Sequence, residues 1–153
     1  AKIDFTQGLD ARFVTPEIAE ILKKVNTKMW HFAFDFMKNE KQILKGLKTF
    51  VDVVKPNRIY AYVYCLTNYD TTFYEDYYRV IKIQEVGLDP DVRIYRKNSL
   101  PKRHILRDLQ RWCNNRIIYR ANPDFWSYVP RTDGKTIKEI YPSHYQEVKD
   151  LII

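Results

Sequence analysis

The stretch VYCLTNYDTTFYEDYYRV, residues 63–80, joins the end of an apolar strand to the beginning of a helix. The apolar run stops at Leu66, and a short polar cluster follows at once. Thr72 and Glu75 have the spacing of a capping box, in which each side chain accepts a hydrogen bond from the backbone N–H group of the other residue. We therefore predict a strand that leads into a helix, with polar side chains gathered at their junction.

The same alternation of strand and helix occurs four times along the chain. Apolar residues recur at every second position in the predicted strands and at helical spacing in the predicted helices. Strands are predicted at 2–7, 28–35, 58–66 and 89–97. Helices are predicted to start at Thr15–Pro16, at Asn39 and at Thr72, the last ending near Gly87, and a fourth helix is predicted over 101–119.

Short strands that alternate with helices of ten or more residues favour parallel strands joined by right-handed crossovers. We predict an α/β fold in which residues 1–122 form four consecutive βα units with a parallel sheet, equivalent to half of a TIM-like barrel. Residues 123–153 are predicted to form an aromatic segment and a short helix that packs on this half-barrel. The alternative is a small open α/β sheet that is complete in itself.

The two faces of the predicted strands differ in chemistry. One face is apolar, with residues such as Phe32 and Val63, and is expected to carry the helices. The other face is polar and aromatic, with residues such as Asp4 and His31, and suits the lining of a cavity that encloses a ligand. The predicted substrate-cavity residues on this face are Tyr62, Tyr64, Arg93 and Tyr95. The alternative is that these side chains only solvate an open sheet face.

Composition narrows the class of protein. The 153 residues carry a net charge of +7 and include 12 tyrosines, and a basic chain suits an acidic partner. The four glycines do not have the spacing of a phosphate-binding loop. Cys65 and Cys113 lie far apart and the histidines lack metal-ligand spacing, so we predict buried thiols and no metal site on this chain. No apolar stretch is long enough to cross a membrane, and we predict a cytoplasmic protein.

Five segments carry a resemblance to a known family: IDFTQGLDARFVTPEIAEIL, KMWHFAFD, VYCLTNYDTTFYEDYYRV, GLDPDVRIY and LRDLQRWCNN. Together they resemble the later part of the catalytic barrel of uncharacterised radical S-adenosylmethionine (SAM) proteins, over about residues 3–118. The combination of QGLDAR, LTNYDTTFYED and GLDPDV carries most of the specificity. The chain also starts without methionine and almost inside a strand, so we expect a piece of a longer protein.

The resemblance implies an enzyme that binds a [4Fe–4S] cluster through three cysteines in a CxxxCxxC loop and fills the remaining iron position with SAM. One-electron reduction then cleaves SAM to methionine and a 5′-deoxyadenosyl radical, which abstracts hydrogen from a substrate. This chain has no CxxxCxxC, and Cys65 and Cys113 do not match that motif. We therefore expect the C-terminal half of such a barrel, inactive alone, with SAM and the cluster bound by the full-length parent. Its partners would be the missing N-terminal half and a small-molecule or macromolecular substrate that the sequence does not identify.

Ligands of parallel α/β folds bind at the carboxyl ends of the strands, and seven residues there are candidates for cofactor binding. The resemblance implies that polar residues near the first strand help to hold SAM; the Arg12 guanidinium suits a carboxylate, or is a surface group beside a helix start. Asp35 could accept ribose hydroxyls or cap the next turn. The polar loop after the third strand could contact a ligand or build an Asx turn. The candidates are Gln7, Asp10, Arg12, Asp35, Asn68, Asp70 and Thr71.

A basic run covers the fourth predicted helix and the residues before it. It comprises Arg96, Lys97, Lys102, Arg103, Arg107, Arg111, Arg116 and Arg120, with the single acid Asp108. Such a run is commonly a solvated helix face. It also supports a second hypothesis, a self-contained basic α/β module that binds nucleic acid or another acidic partner, although no nucleic-acid-binding motif is present. Because a half-barrel leaves sheet edges and a concave face exposed, self-association of the chain through its first strand or its concave face is expected as well.

Overall fold

The computed structural model of the chain describes residues 1–152 and contains one four-stranded sheet with helices between the strands. The strands are β1 (Ile3–Asp4), β2 (Thr27–Ala33), β3 (Ala61–Thr67) and β4 (Asp89–Ile94). The helices are α1 (Pro16–Lys23), α2 (Glu40–Val54), α3 (Phe73–Glu85), α4 (Ile105–Asn114), α5 (Arg116–Ala121), α6 (Ile137–Ile140) and α7 (Pro142–Val148). All neighbouring strands are parallel and lie in the order β1-β2-β3-β4. The predicted α/β fold of consecutive βα units is confirmed, and its strand order is that of an arc of a β/α barrel.

The core lies between the sheet and the helices. Right-handed crossovers between strands that follow one another in space place the connecting helices on a single face. Phe32, Val63 and Val92 point to that face and are fully buried. The helices contribute Leu47, Phe50, Val80, Ile83, Leu109 and Trp112 to the same core.

No helix within residues 1–152 is long and apolar enough to cross a membrane.

Local capping residues set where two of the helices start. The Thr15 side chain accepts a hydrogen bond from the Ile18 N–H group, with a proline at the first helical position of α1. Thr72 and Glu75 form the complete capping box that their spacing predicted for α3. Gly87, with φ of +91°, lies just after the end of α3, as expected for a residue that terminates a helix.

Several element boundaries differ from the sequence-based expectations, among them the end of β4 at Ile94 instead of Lys97 and the start of α4 at Ile105 instead of Pro101. β1 is only two residues long, and residues 58–60 form a 3₁₀ turn before β3. The predicted helix over 101–119 is divided at Asn115, whose backbone is extended and whose side chain accepts hydrogen bonds from the Ile117 and Ile118 N–H groups. Asparagine thus starts α5 as an N-cap where helical spacing alone predicted continuity.

The outer edge of β4 is closed by side chains of α4. The Asn114 Oδ1 atom accepts a hydrogen bond from the Val92 N–H group at 2.8 Å, and Asn114 Nδ2 donates to the Val92 carbonyl oxygen at 2.9 Å. Gln110 donates to the same carbonyl oxygen. Pro90, the preceding outward-facing residue, has no N–H group to offer another strand. β4 therefore disfavours further pairing, whereas no strand of residues 1–152 pairs with the outer side of β1.

The segment after residue 122 packs on α3 and α4. Its buried residues include Phe125, Trp126, Ile137 and Val148. The indole N–H group of Trp126 donates a hydrogen bond to the Tyr77 hydroxyl oxygen at 3.0 Å. The segment is also held by the nearly buried Asp108 carboxylate, which accepts hydrogen bonds from Arg131 and Tyr141. The acid inside the basic run is therefore an anchor for the C-terminal segment.

Candidate functional site

A cavity of about 430 Å³ opens at the carboxyl ends of β1 and β2. We call it the carboxyl-edge cavity. Its lining consists of Gln7, Gly8, Leu9, Asp10, Arg12, Ala33, Asp35, Phe36, Asn39 and Ile43. Four of the seven predicted cofactor residues, from two separate βα units, therefore come together around one space. Its volume falls within the range of ordinary small-molecule sites.

Asp10 and Arg12 form a bidentate pair at the rim of this cavity. Arg12 Nε donates to Asp10 Oδ1 at 2.9 Å, and Arg12 Nη2 donates to Asp10 Oδ2 at 2.5 Å. The hydrogen bonds from Arg12 lower the pKa of the Asp10 carboxyl below its ordinary value. One edge of the guanidinium is thus occupied, and a ligand carboxylate would meet the remaining Nη1–Nη2 edge.

Gly46 allows α2 to pack directly against the turn that carries this pair. A Cβ atom on Gly46 would lie 1.7 Å from the Ala11 carbonyl oxygen, which is far inside contact distance. Ala11 is the residue between Asp10 and Arg12, and it is almost completely buried. The position of the ion pair therefore depends on a glycine more than thirty residues further along the chain.

Asp35 connects the ends of β2 and β3. Its Oδ1 atom accepts a hydrogen bond from the Leu66 N–H group at 2.8 Å, so its side chain bridges two strands rather than capping the next turn. Asn39, where the second helix was predicted to start, lies directly before α2, and its side chain makes no capping hydrogen bond. The second carboxylate oxygen of Asp35 makes no hydrogen bond with the described part of the chain, and Asp35 is one of the residues that line the cavity.

The polar loop after β3 is organised by the buried Asp76 carboxylate. Asp76 accepts hydrogen bonds from the Asn68 N–H group at 3.1 Å and from the Thr71 hydroxyl at 2.6 Å. The Asn68 side chain donates to the Tyr95 carbonyl oxygen. Asp70 is exposed and has a left-handed backbone with φ of +54°. The structure thus places Asn68, Asp70 and Thr71 outside the lining of the carboxyl-edge cavity and gives two of them structural partners.

Arg79, like Asp76, is a residue of this region that the sequence prediction missed. Its guanidinium is completely buried and donates to the carbonyl oxygens of Phe34, Asp35 and Leu66 through Nη1, at 3.0, 2.8 and 2.8 Å. It also pairs with Asp76. The available signal was the helical period of α3, because Asp76 and Arg79 fall on the same stripe as its buried apolar residues.

The sheet face opposite the helices is covered by its own side chains. Tyr62 and Tyr64 flank His31, with ring centroids 5.9 and 5.3 Å from it, and the His31 and Tyr64 rings are parallel. The guanidinium of Arg116 lies 4.1 Å from the Tyr62 ring, and that of Arg93 lies 5.2 Å from the Tyr64 ring. Three of the four predicted substrate-cavity residues, namely Tyr62, Tyr64 and Arg93, therefore lie in one intramolecular stack.

Exposed aromatic side chains cluster beyond the carboxyl ends of β2, β3 and β4. Phe36, Tyr69 and Tyr95 are each more than one-third exposed, and their rings make edge-to-face contacts. We call these three residues the aromatic shelf. Tyr69 lies between two left-handed residues, Asn68 and Asp70, so the backbone adopts an uncommon conformation to present it. The sequence prediction included Tyr95 but not the other two rings.

The cysteines do not provide a cluster site on this chain. Cys65 and Cys113 are completely buried, and burial raises the pKa of Cys65 to about 12 and that of Cys113 well above its ordinary value. Both side chains are therefore thiols at neutral pH, whereas iron binds thiolate. Across residues 1–152 no group of three or more His, Cys, Asp or Glu residues is arranged to hold a metal ion. The described residues do not fit an iron–sulfur cluster.

The structural observation that bears on function is the carboxyl-edge cavity with its convergent polar side chains. The resemblance carried by the five segments stays a prediction. Comparison of the chain with protein-family models, with curated proteins and with solved structures gave no match in any of the three.

Proposed function

We propose that the chain is the later half of a radical SAM barrel and that its carboxyl-edge cavity provides polar contacts to SAM. The observation that carries the proposal is the convergence of Gln7, Asp10, Arg12 and Asp35 around one cavity of about 430 Å³. These residues come from the ends of two neighbouring parallel strands, which is where ligands of this fold class bind.

The polar groups around the cavity fit parts of SAM. The free edge of the Arg12 guanidinium can donate two hydrogen bonds to a carboxylate. The unpartnered oxygen of Asp35 can accept a hydrogen bond from a hydroxyl or an ammonium group, while its other oxygen remains fixed by Leu66. The chain's own contribution is thus to bind and orient the ligand.

The cluster chemistry belongs to another part of the proposed protein. SAM held by a reduced iron–sulfur cluster supplies the hydrogen-abstraction chemistry of this family. Because the described residues do not fit the cluster, their role in the proposed protein is to bind and orient the ligand. The proposal therefore assigns cluster binding to a preceding segment and expects this chain alone to be colourless and inactive towards SAM in the presence of dithionite.

The sheet can accept further β-strands at only one of its two edges. β4 is closed by Asn114 and Gln110, while β1 has an unpaired outer side. Exposed apolar side chains also occur in the first βα unit, at Ile3 in β1, at Phe13 in the turn before α1 and at Ile21 in α1. Strands of a preceding half-barrel would therefore join at β1, in agreement with the consecutive strand order.

The proposal is tested by titrating the ¹⁵N-labelled chain with SAM and following backbone amide shifts. A few polar contacts of about 1 kcal/mol each do not overcome the ordering cost of binding by much, so we expect dissociation constants of about 1 mM or weaker. Shifts should concentrate at Gly8, Leu9, Ala33 and Asp35. Asp35→Asn should weaken binding, because it removes the charged acceptor and retains the shape.

Asp52→Asn is the matched control, since Asp52 lies on α2 in an exposed ion pair with Lys48. It should leave the SAM titration unchanged. Shifts confined to residues outside the cavity, or equal effects of the two variants, would contradict the proposed site. Micromolar binding of SAM to this chain by calorimetry would contradict the assignment of the principal anchor to a preceding segment.

A further inference from the structure

A second concave surface lies beside β4 and has a composition unlike that of the carboxyl-edge cavity. It encloses about 800 Å³. Its lining holds four cationic side chains, Lys97, Arg107, Arg111 and Arg116, together with three side-chain amides and one isoleucine. No carboxylate belongs to the lining. We call this surface the basic groove.

The cations of the basic groove are held in place largely by neutral groups. Arg107 donates to the carbonyl oxygens of Lys97, Leu100 and Pro101. Lys97 Nζ donates to the side-chain oxygen of Gln110 at 2.5 Å. Carbonyl and amide oxygens fix the direction of a cation without cancelling its formal charge. These cations are therefore ordered before a ligand arrives, and they keep their attraction for anions.

Arg116 is held in a related way at the other end of the groove. It donates to the carbonyl oxygens of Pro90 and Cys113, and its guanidinium stacks on the Tyr62 ring. The nearest carboxylate is Asp89 at 3.6 Å, which is fully buried and also pairs with Arg58 and Arg120. One carboxylate among three arginines leaves a surplus of positive charge next to the groove.

The structure limits what kind of ligand can lie in the groove. An extended peptide would pair with the edge of β4, but Asn114 and Gln110 already occupy the Val92 backbone groups, and Pro90 offers no N–H group. The cations extend along the strand, from Arg116 beside Pro90 to Lys97 beyond Ile94. A strand of this length spans about 17–20 Å, which is longer than one phosphate group and suits a row of phosphates.

The aromatic shelf lies at the carboxyl end of the same strand. Tyr95 directly follows β4, and its ring packs edge-to-face against Tyr69. The Arg96 guanidinium lies 5.3 Å from the Tyr95 ring. A row of cations that leads to exposed aromatic rings is the arrangement with which proteins bind unpaired nucleic acid strands, because cations contact phosphates and rings stack on bases.

We propose that the basic groove binds single-stranded nucleic acid, with phosphates along β4 and α4 and bases against the aromatic shelf. This inference does not depend on SAM binding, because none of the four cations lines the carboxyl-edge cavity; Phe36 of the aromatic shelf is the one residue of the proposed site that also lines it. The proposed binding is the same whether the nucleic acid is a substrate of the proposed longer protein or a partner of this chain.

The test is fluorescence anisotropy of the chain with a labelled single-stranded RNA of about 15 nucleotides at salt concentrations from about 50 to 200 mM. A hairpin duplex and inorganic polyphosphate serve as competitors. Lys97→Gln with Arg111→Gln should weaken binding about tenfold or more and reduce the slope of log affinity against log salt by about 1.4. Both residues are exposed, so this double variant should fold.

Control variants test whether the effects are specific to these sites. One pair of variants removes charge outside the basic groove, and another variant removes an exposed ring outside the aromatic shelf. Lys23→Gln with Lys24→Gln removes the same charge from exposed positions at the end of α1 and should leave the salt slope unchanged. Tyr69→Ala should weaken RNA binding by roughly 5- to 150-fold without affecting polyphosphate competition. Phe13→Ala, at an exposed ring near α1, should have no effect.

Three results would overturn the proposal. The first is the absence of RNA binding at about 50 mM salt. The second is an equal loss of affinity in the Lys23/Lys24 and Lys97/Arg111 variants. The third is stronger competition by duplex or polyphosphate than by unlabelled single strands, which would identify a site for polyanions in general.

Discussion

The guanidinium of Arg79 and the carboxylate of Asp76 form a buried ion pair with 2.5 Å between Nη2 and Oδ1. Both side chains belong to α3, yet most of their other hydrogen bonds join the ends of β2 and β3 and the loop after β3. Arg79 binds backbone carbonyl oxygens, and Asp76 binds the Asn68 N–H group. The pair therefore fixes the ends of two strands from one helix, beside the carboxyl-edge cavity.

Replacing Arg79 with methionine should destabilise the fold by about 3–5 kcal/mol, because the Asp76 carboxylate would remain buried without its cation. Urea unfolding measures this change. Lys82→Met on the same helix is the control, since its ion pair with Glu85 is much more exposed and should contribute less than about 1 kcal/mol. Equal midpoints for the Arg79 variant and the parent chain would show that the pair does not hold the strand ends.

Gly46→Ala should destabilise the chain by at least about 2 kcal/mol and displace the turn that carries Asp10 and Arg12. The added methyl group would overlap the Ala11 carbonyl oxygen, and this overlap outweighs the higher helix propensity of alanine. Thermal unfolding and amide shifts of residues 9–13 measure the two effects. Lys41→Ala, at an exposed position of α2, should change neither; a Gly46 variant with unchanged shifts would contradict the close packing.

Asn114→Ala should open the edge of β4. The buried Val92 N–H group would lose its partner, which costs about 1–3 kcal/mol, and hydrogen exchange at Val92 should accelerate. The freed edge should also promote association through β4. Asn98→Ala, an exposed asparagine in the turn after β4, should leave exchange at Val92 unchanged. Slow exchange in both variants would mean that another group protects this edge.

His104 should make stability depend on pH. Its Nδ1 atom accepts a hydrogen bond from the Leu106 N–H group at the start of α4, and only the neutral ring can accept it there. Burial, with smaller effects of nearby cations, lowers the pKa of His104 below 6.5 in the folded state. This stabilisation is therefore present above pH 6.5 and is lost as the pH falls through the lower folded-state pKa.

Urea unfolding at a series of pH values measures this effect. His104→Asn retains a capping acceptor that does not titrate, so it should flatten the dependence between about pH 7 and pH 5. His144→Asn leaves the His104 cap in place but removes one of the cations that lower the pKa of His104, so it should reduce the pH dependence only in part. A profile that is the same in the parent and the His104 variant would exclude this residue as the cause.

Self-association is expected through the outer edge of β1. Ile3 is half exposed on this unpaired edge, and a lysine there would add charge to any strand-to-strand contact. Light scattering over a wide concentration range should show association of the parent chain and a monomer for Ile3→Lys. Ile117→Lys changes a still more exposed isoleucine beyond the closed β4 edge and should still associate. A parent chain that is monomeric throughout would refute this prediction.

Local sequence was sufficient for the order and type of the main elements. Capping by Thr15 and the Thr72–Glu75 box uses groups only three residues apart, and the switch between strand and helix periods is visible over a few residues. Parallel pairing followed from the length of the connections. The prediction of one long helix over 101–119 was wrong because Asn115 can cap a new helix or continue an old one, and spacing alone does not distinguish these.

The partners of the polar side chains required the folded chain, because they are distant in sequence. Asp35 bonds to Leu66, and Arg79 bonds to Phe34, across 31 and 45 positions. The sequence placed polar residues at the carboxyl ends of the strands, since strand ends can be read from local pattern. Which oxygen or N–H group is already occupied, and which therefore remains for a ligand, depends on how β2, β3 and α3 pack together.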